Sequence, residues 1–213
     1  MERHVFIDIN VLLSLCILYS GIWNDGMALH PQDVVLLLKL VANRDASKRW
    51  TYAELGRMLF MSASQVFRSV DRAEMARLLV APVVPAPSNT GEQSPGGMLW
   101  PNRNYLKEFL IHGVKYAFPV ERGGPTRGVP TAEAAPPLVQ HFPLEFSLPP
   151  VWPSAEGPFR GIAFSPLYKN VPQAAAQDSK LYELLALVDA IREGRARERE
   201  IAIRELTARI DAQ

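Results

Sequence analysis

The chain has 213 residues, a formal net charge of +1, 48% hydrophobic and 21% charged residues. These values suit a globular chain that buries a core, sized for one domain plus extra elements or two small ones at roughly 100–200 residues per domain. The single cysteine, Cys16, excludes an intramolecular disulfide and points to a reducing compartment, while four scattered histidines (His4, His30, His112, His141) argue against structural zinc.

Residues 5–22 are strongly apolar, most densely over 11–19. Asp8 and Asn10 interrupt the run and no small-residue cleavage site follows, which argues against a secretory leader. Its unbroken part is shorter than the roughly 20 residues a membrane-spanning helix needs. Segment 1–26 is expected to be a hydrophobic helix packed on the core or on a second copy, unless translation starts at Met27. Residues 5–13 resemble the first strand of PIN-type nucleases, whose early aspartate binds metal, but the chain leaves no room for that family's later acidic positions.

Over 29–42, Val34, Leu37, Leu38 and Val41 recur at helical spacing, with Pro31 in the first turn, where proline is tolerated. A polar loop follows over 43–48. Thr51 and Glu54 stand three apart, the pattern of a capping box, and open a second helix with Leu55, Met58 and Leu59 inside. Ser62 caps a third helix, with Val66, Val70 and Ala73 on its inner face and Ser64, Arg68, Asp71 and Arg72 turned away. Residues 78–84 are β-prone, 85–97 form a turn or tip, and 98–100 return as a partner strand. Asn102 then caps a helix to about Phe118, with Tyr105, Leu106, Phe109 and Leu110 as its apolar face. Helix, helix, helix, strand, tip, strand is the order of a winged helix.

The segment TYAELGRMLFMSASQVFRSV, residues 51–70, resembles the helix-turn-helix of bacterial MarR-like and related winged-helix regulators. Leu55 takes the apolar position before the helix crossing, and Gly56 the small position where two helices meet. Leu59 and Met61 flank the turn, while Val66 and Val70 anchor the recognition helix. The resemblance implies that Ser64, Gln65, Phe67 and Arg68 enter the major groove of duplex DNA, with Arg68 and Ser64 reading base edges. Lys48 and Arg49 are placed for phosphate contacts. Thr51, Ser62 and Arg72 complete the expected DNA-binding set. Two residues depart from the pattern: Phe60 stands where the turn often carries a glycine at positive φ, and Arg77 stands near the usual C-terminal glycine. Over 27–80, eight basic residues (Lys39, Arg44, Lys48, Arg49, Arg57, Arg68, Arg72, Arg77) exceed five acidic ones (Asp33, Asp45, Glu54, Asp71, Glu74). The tip, 88–97, has no basic residue and is expected to make few phosphate contacts.

Residues 119–172 hold twelve of the 18 prolines. Proline lacks an N–H and fixes φ, so long helices and central strands are not expected there. Leu138, Phe142, Phe146, Trp152, Phe159 and Phe164 make the stretch too apolar for disorder, and an extended strap lying on a folded surface is expected. Within it Glu121, Arg122, Gly123, Gly124, Pro125, Thr126, Arg127 and Gly128 form a candidate anion cradle without the lysine and context of a P-loop. The C-terminal helix carries Leu181, Leu184, Leu185, Val188 and Ile191 as one stripe and Ile203, Leu206 and Ile210 as another, divided at Gly194.

The resulting expectation is an α+β, mostly α chain: an apolar segment 1–26, a winged helix-turn-helix domain 27–118, a Pro-rich extended segment 119–176 and a C-terminal helical assembly segment 177–213. The expected function is a cytoplasmic, sequence-specific regulator that binds double-stranded DNA as a homodimer through the terminal helix. No catalytic set, metal site, cofactor or membrane span is expected. The alternative is an antitoxin-like or accessory protein of a two-gene system that holds a protein partner through 119–213.

Overall fold

The computed structural model describes residues 28–43, 49–80, 99–142 and 148–212. The 1–26 segment, Lys48 and the tip lie outside them. The fold is mixed α+β and mostly helical.

Helix α1 (Pro31–Ala42) begins with proline at its first position, and Asp33 accepts the His30 N–H at 2.8 Å, satisfying one of the free donors of a helix start. Every residue from Asp33 to Ala42 is buried, so this helix is enclosed rather than amphipathic. Helix α2 (Tyr52–Leu59) starts in the capping box expected of Thr51/Glu54, and α3 (Ala63–Met75) starts at the expected Ser62 cap, where Gln65 closes a second box. Strands β1 (Leu79–Val80) and β2 (Trp100–Pro101) pair antiparallel, Leu79 opposite Pro101 and Val80 opposite Trp100. From the Asn102 cap a continuous helical rod runs through α4 (Arg103–Glu108), a π-helical turn (Phe109–Gly113) and α5 (Val114–Ala117).

The Pro-rich region folds differently from the expected strap. Strands β3 (Arg122–Pro130), β4 (Pro150–Pro153) and β5 (Phe159–Phe164) form a small sheet in which each strand pairs with both others. Strand β3 runs antiparallel to β4 and β5, which makes those two parallel to one another. Its prolines stand where a missing N–H is tolerated: Pro125 beside the irregularity between Arg122 and Pro125, and Pro130, Pro150 and Pro153 at strand ends. The sheet is anchored by Trp152, fully buried, whose indole Nε1 donates to Asp189 at 2.6 Å.

Helices α6 (Val171–Gln177), α7 (Ser179–Glu193) and α8 (Ala196–Asp211) complete the chain. Helix α7 packs against α1, α5, α6 and α8. Its stripe Leu181, Leu184, Leu185, Val188 and Ile191 is at most 3% exposed and belongs to the same apolar cluster as Val34, Leu55, Val66 and Trp152. Leu206 and Ile210 of α8 are likewise fully buried. The expectation that this stripe is an assembly surface is therefore corrected: the chain covers it with its own helices. The described residues of 27–118 and of 119–213 share one core.

Candidate nucleic-acid interface

The α2–α3 pair is held by a close crossing and a strained turn. A Cβ on Gly56 would lie 2.5 Å from the Met61 carbonyl oxygen, so only glycine lets the two segments approach this closely. Phe60 sits in the left-handed region at φ 54°, and so does Arg77 at φ 59°, both positions where glycine would have been the unstrained choice. The Phe60 carbonyl accepts a 2.7 Å hydrogen bond from Asn170 Nδ2, just ahead of α6. The C-terminal half thus braces the turn from outside.

Val66, Val70 and Ala73 face the core, as their spacing requires, and leave an outward row on α3 of Ser64, Phe67, Arg68, Asp71 and Met75. Phe67 is 49% exposed, with one edge resting on the Tyr52 ring at 5.6 Å between centroids. Arg68 is exposed and meets no carboxylate among the described residues. Arg49, ahead of α2, and Arg57, on its outer side, are exposed too. Burial, together with the nearby Glu74 and Asp71 carboxylates, raises the Tyr52 hydroxyl above its ordinary range. Burial first and Asp71 second raise Glu74 as well. The row therefore carries an acidic end beside its cation.

Of the expected DNA-binding set, Ser64, Phe67, Arg68 and Arg49 share exposure on this half of the molecule. Thr51, Ser62 and Gln65 are occupied as caps: the Thr51 and Ser62 hydroxyls accept the N–H groups of Glu54 and Gln65, and Gln65 Oε1 accepts the Ser62 N–H. Arg72 requires a correction. It is 5% exposed and turned inward, its guanidinium donating to both Asp33 carboxylate oxygens at 2.7 and 2.6 Å. This two-pronged pair ties α3 to α1, and no groove-facing role remains for Arg72. Helical spacing placed Arg72 just off the apolar stripe, and the partner that draws it inward lies 39 residues away. Asn170 and Arg57 were missed, since neither stands in a local pattern that marks a site.

Two further polar clusters hold the frame. Asp178 accepts from Lys39 Nζ and Asn43 Nδ2, each at 2.8 Å, and from the Leu181 N–H. Burial pushes the Asp178 carboxyl up, but these donors and the Lys39 charge outweigh it and hold the group below its ordinary range. Asp189, almost wholly enclosed, accepts from Thr131, Trp152 and Arg192. Arg192 in turn donates to the Phe118, Pro119 and Ser165 carbonyls, fixing the segment where the helical rod passes into the sheet.

Among the described residues no group of three or more His, Cys, Asp or Glu side chains is placed to hold a metal, and no helix is long and apolar enough to cross a membrane. No family model matches the chain, and neither a curated protein nor a solved structure matches it.

Proposed function

We propose that this chain is a winged helix-turn-helix protein that binds duplex DNA, with α3 as the recognition helix. The observation that carries the reading is the exposed Ser64–Phe67–Arg68 row on a helix whose opposite face is anchored by Val66, Val70 and Ala73. The major groove admits one α-helix presented in this way. The glycine-tight crossing at Gly56 and the left-handed Phe60 support it, because both belong to the sharp turn such a helix pair requires. Arg68 donates to a base edge, Phe67 offers apolar contact to a thymine methyl, and Arg49 and Arg57 neutralise phosphates. The reading includes two copies on a two-fold symmetric site, joined through a face other than the α7 stripe.

A second reading, a protein-interaction module, draws on exposed apolar side chains in the same half: Phe60, Phe67, Met75, Val80 and Trp100 are each 38–52% exposed. In that case 119–213 supports the face rather than forming it.

Selection of bound duplexes from a random library, read by sequencing, separates the two. An enriched motif is the expected result, and its absence at low salt overturns the DNA reading. On the selected site Arg68→Ala should cost about 1–3 kcal/mol and relax the preference at one base position. Arg49→Ala should weaken all duplexes evenly and lower the salt dependence of binding. Equal behaviour of the two variants would remove α3 from the groove.

A further inference from the structure

We propose that the small sheet carries a site for the phosphate group of a small phosphorylated molecule, built by Arg127 and Arg160. The two residues are direct partners in the antiparallel β3–β5 ladder, so their side chains leave the same side of the sheet. Both are exposed, and among the described residues neither makes an ion pair or a side-chain hydrogen bond. Arg122, five residues earlier on the same strand, shows the ordinary arrangement: it bonds Glu193 at 2.9 Å and lies over the Phe164 ring.

Like charges set directly opposite one another destabilise a strand pair. A fold that keeps such a pair without a counter-charge carries a local conflict, and conflicts of this kind gather at functional positions. An oxyanion resolves it. A guanidinium presents two parallel N–H donors that match two phosphate oxygens, and two guanidiniums side by side match a doubly charged phosphate in charge and donor number.

The surrounding geometry favours a small ligand over a nucleic-acid backbone. Arg127 and Arg160, with Pro125, Thr126 and Pro158, line a concavity of about 460 Å³, within the size range of small-molecule sites. Pro125 and Pro158 have no N–H, so polar recognition falls mainly to the guanidiniums, with Thr126 the other polar residue of the lining, while the proline rings offer apolar walls to the rest of the molecule. The floor is rigid. The Arg127 carbonyl accepts the Ser154 N–H at 3.0 Å, and Gly157 presses on Gly128 so closely that a Cβ there would overlap the Gly128 backbone. The backbone beneath the two arginines is thus fixed before any ligand arrives, which leaves only their side chains to be ordered on binding.

The test follows the side-chain Nε–H signals of Arg127 and Arg160 by NMR in the full-length protein. Inorganic phosphate and ribose 5-phosphate are titrated against chloride at matched ionic strength. Saturable shifts of both signals are expected, and Arg127→Gln or Arg160→Gln should each weaken phosphate binding at least about tenfold, the scale of losing one charge-assisted contact. The double variant, freed of the repulsion, should melt no lower than the wild type without ligand and should lose the rise in melting temperature that phosphate gives the wild type. Signals that stay unmoved by phosphate and ribose 5-phosphate, or equal binding by the double variant, overturn the proposal. Response to a DNA duplex with none to either small probe also overturns it and assigns the pair to backbone contact. None of these readouts depends on whether α3 enters the major groove.

Discussion

At the scale of single residues, stability rests on carboxylates whose surroundings differ sharply. Asp189 is buried with three donors, one of them a charged guanidinium, so its replacement strands Arg192 in the interior. Asp189→Leu should cost about 3–5 kcal/mol, the usual loss when one member of a buried ion pair is removed, and chemical denaturation would measure it. Burial raises the Asp189 carboxyl in spite of these donors, and Glu133 shares that burial but accepts from no guanidinium among the described residues. Burial raises its carboxyl above the ordinary range, the Glu198 charge adds to this, and its own backbone hydrogen bond with the Arg122 and Arg195 charges only partly offsets it. A carboxyl raised in the folded state binds more protons there than in the unfolded chain, so its ionised form opposes folding at neutral pH and the penalty fades as pH falls through the raised pKa. Glu133→Gln should therefore raise the melting temperature at pH 7, with the gain shrinking in acid. A constant or reversed difference across that pH series would show that Glu133 is held as a stable anion.

At the scale of elements, the α2–α3 turn is tight and strained by design of its residues. Gly56→Ala drives a methyl into the Met61 carbonyl and should destabilise by about 1–3 kcal/mol, as overpacking does. Phe60→Gly relieves a left-handed conformation that costs a residue with a Cβ roughly 1 kcal/mol or more. Because Phe60 is 39% exposed, the variant also gives up the burial of the rest of the ring, so the net change is expected to stay within about 1 kcal/mol of zero, read as a small shift in the denaturation midpoint. The Thr51/Glu54 capping box and the helix starts at Thr51, Ser62 and Asn102 were legible beforehand, because each is decided within about four residues of chain. The sheet was not legible. Its pairing joins Gly128 to Pro153 and to Phe159 across separations that no local pattern reports, and the density of prolines masked strands that place those prolines at ends and irregularities.

At the scale of the whole molecule, α7 joins the two halves. Its stripe touches α1 on one side and α8 on another, and the Asp178–Lys39 bridge pins its start to α1. Leu185→Asp would place a charge at the centre of the shared core and is expected to unfold the entire chain in one transition, without releasing an intact N-terminal half. Differential scanning calorimetry decides between one transition and two. The amino-acid sequence by itself determined the helix periods, the caps, the tight crossing at Gly56 and the outward row on α3, since each follows from spacing along a single element. It also marked the α7 and α8 stripes as surfaces that must be covered. What covers them was decided by the tertiary structure alone: burial of an apolar stripe lowers free energy equally well against a second copy or against its own chain. The same holds for Arg72 and for the Arg127–Arg160 pair. A charge's neighbour across the fold sets whether it is a buried strut or an open site, and that neighbour is chosen by packing.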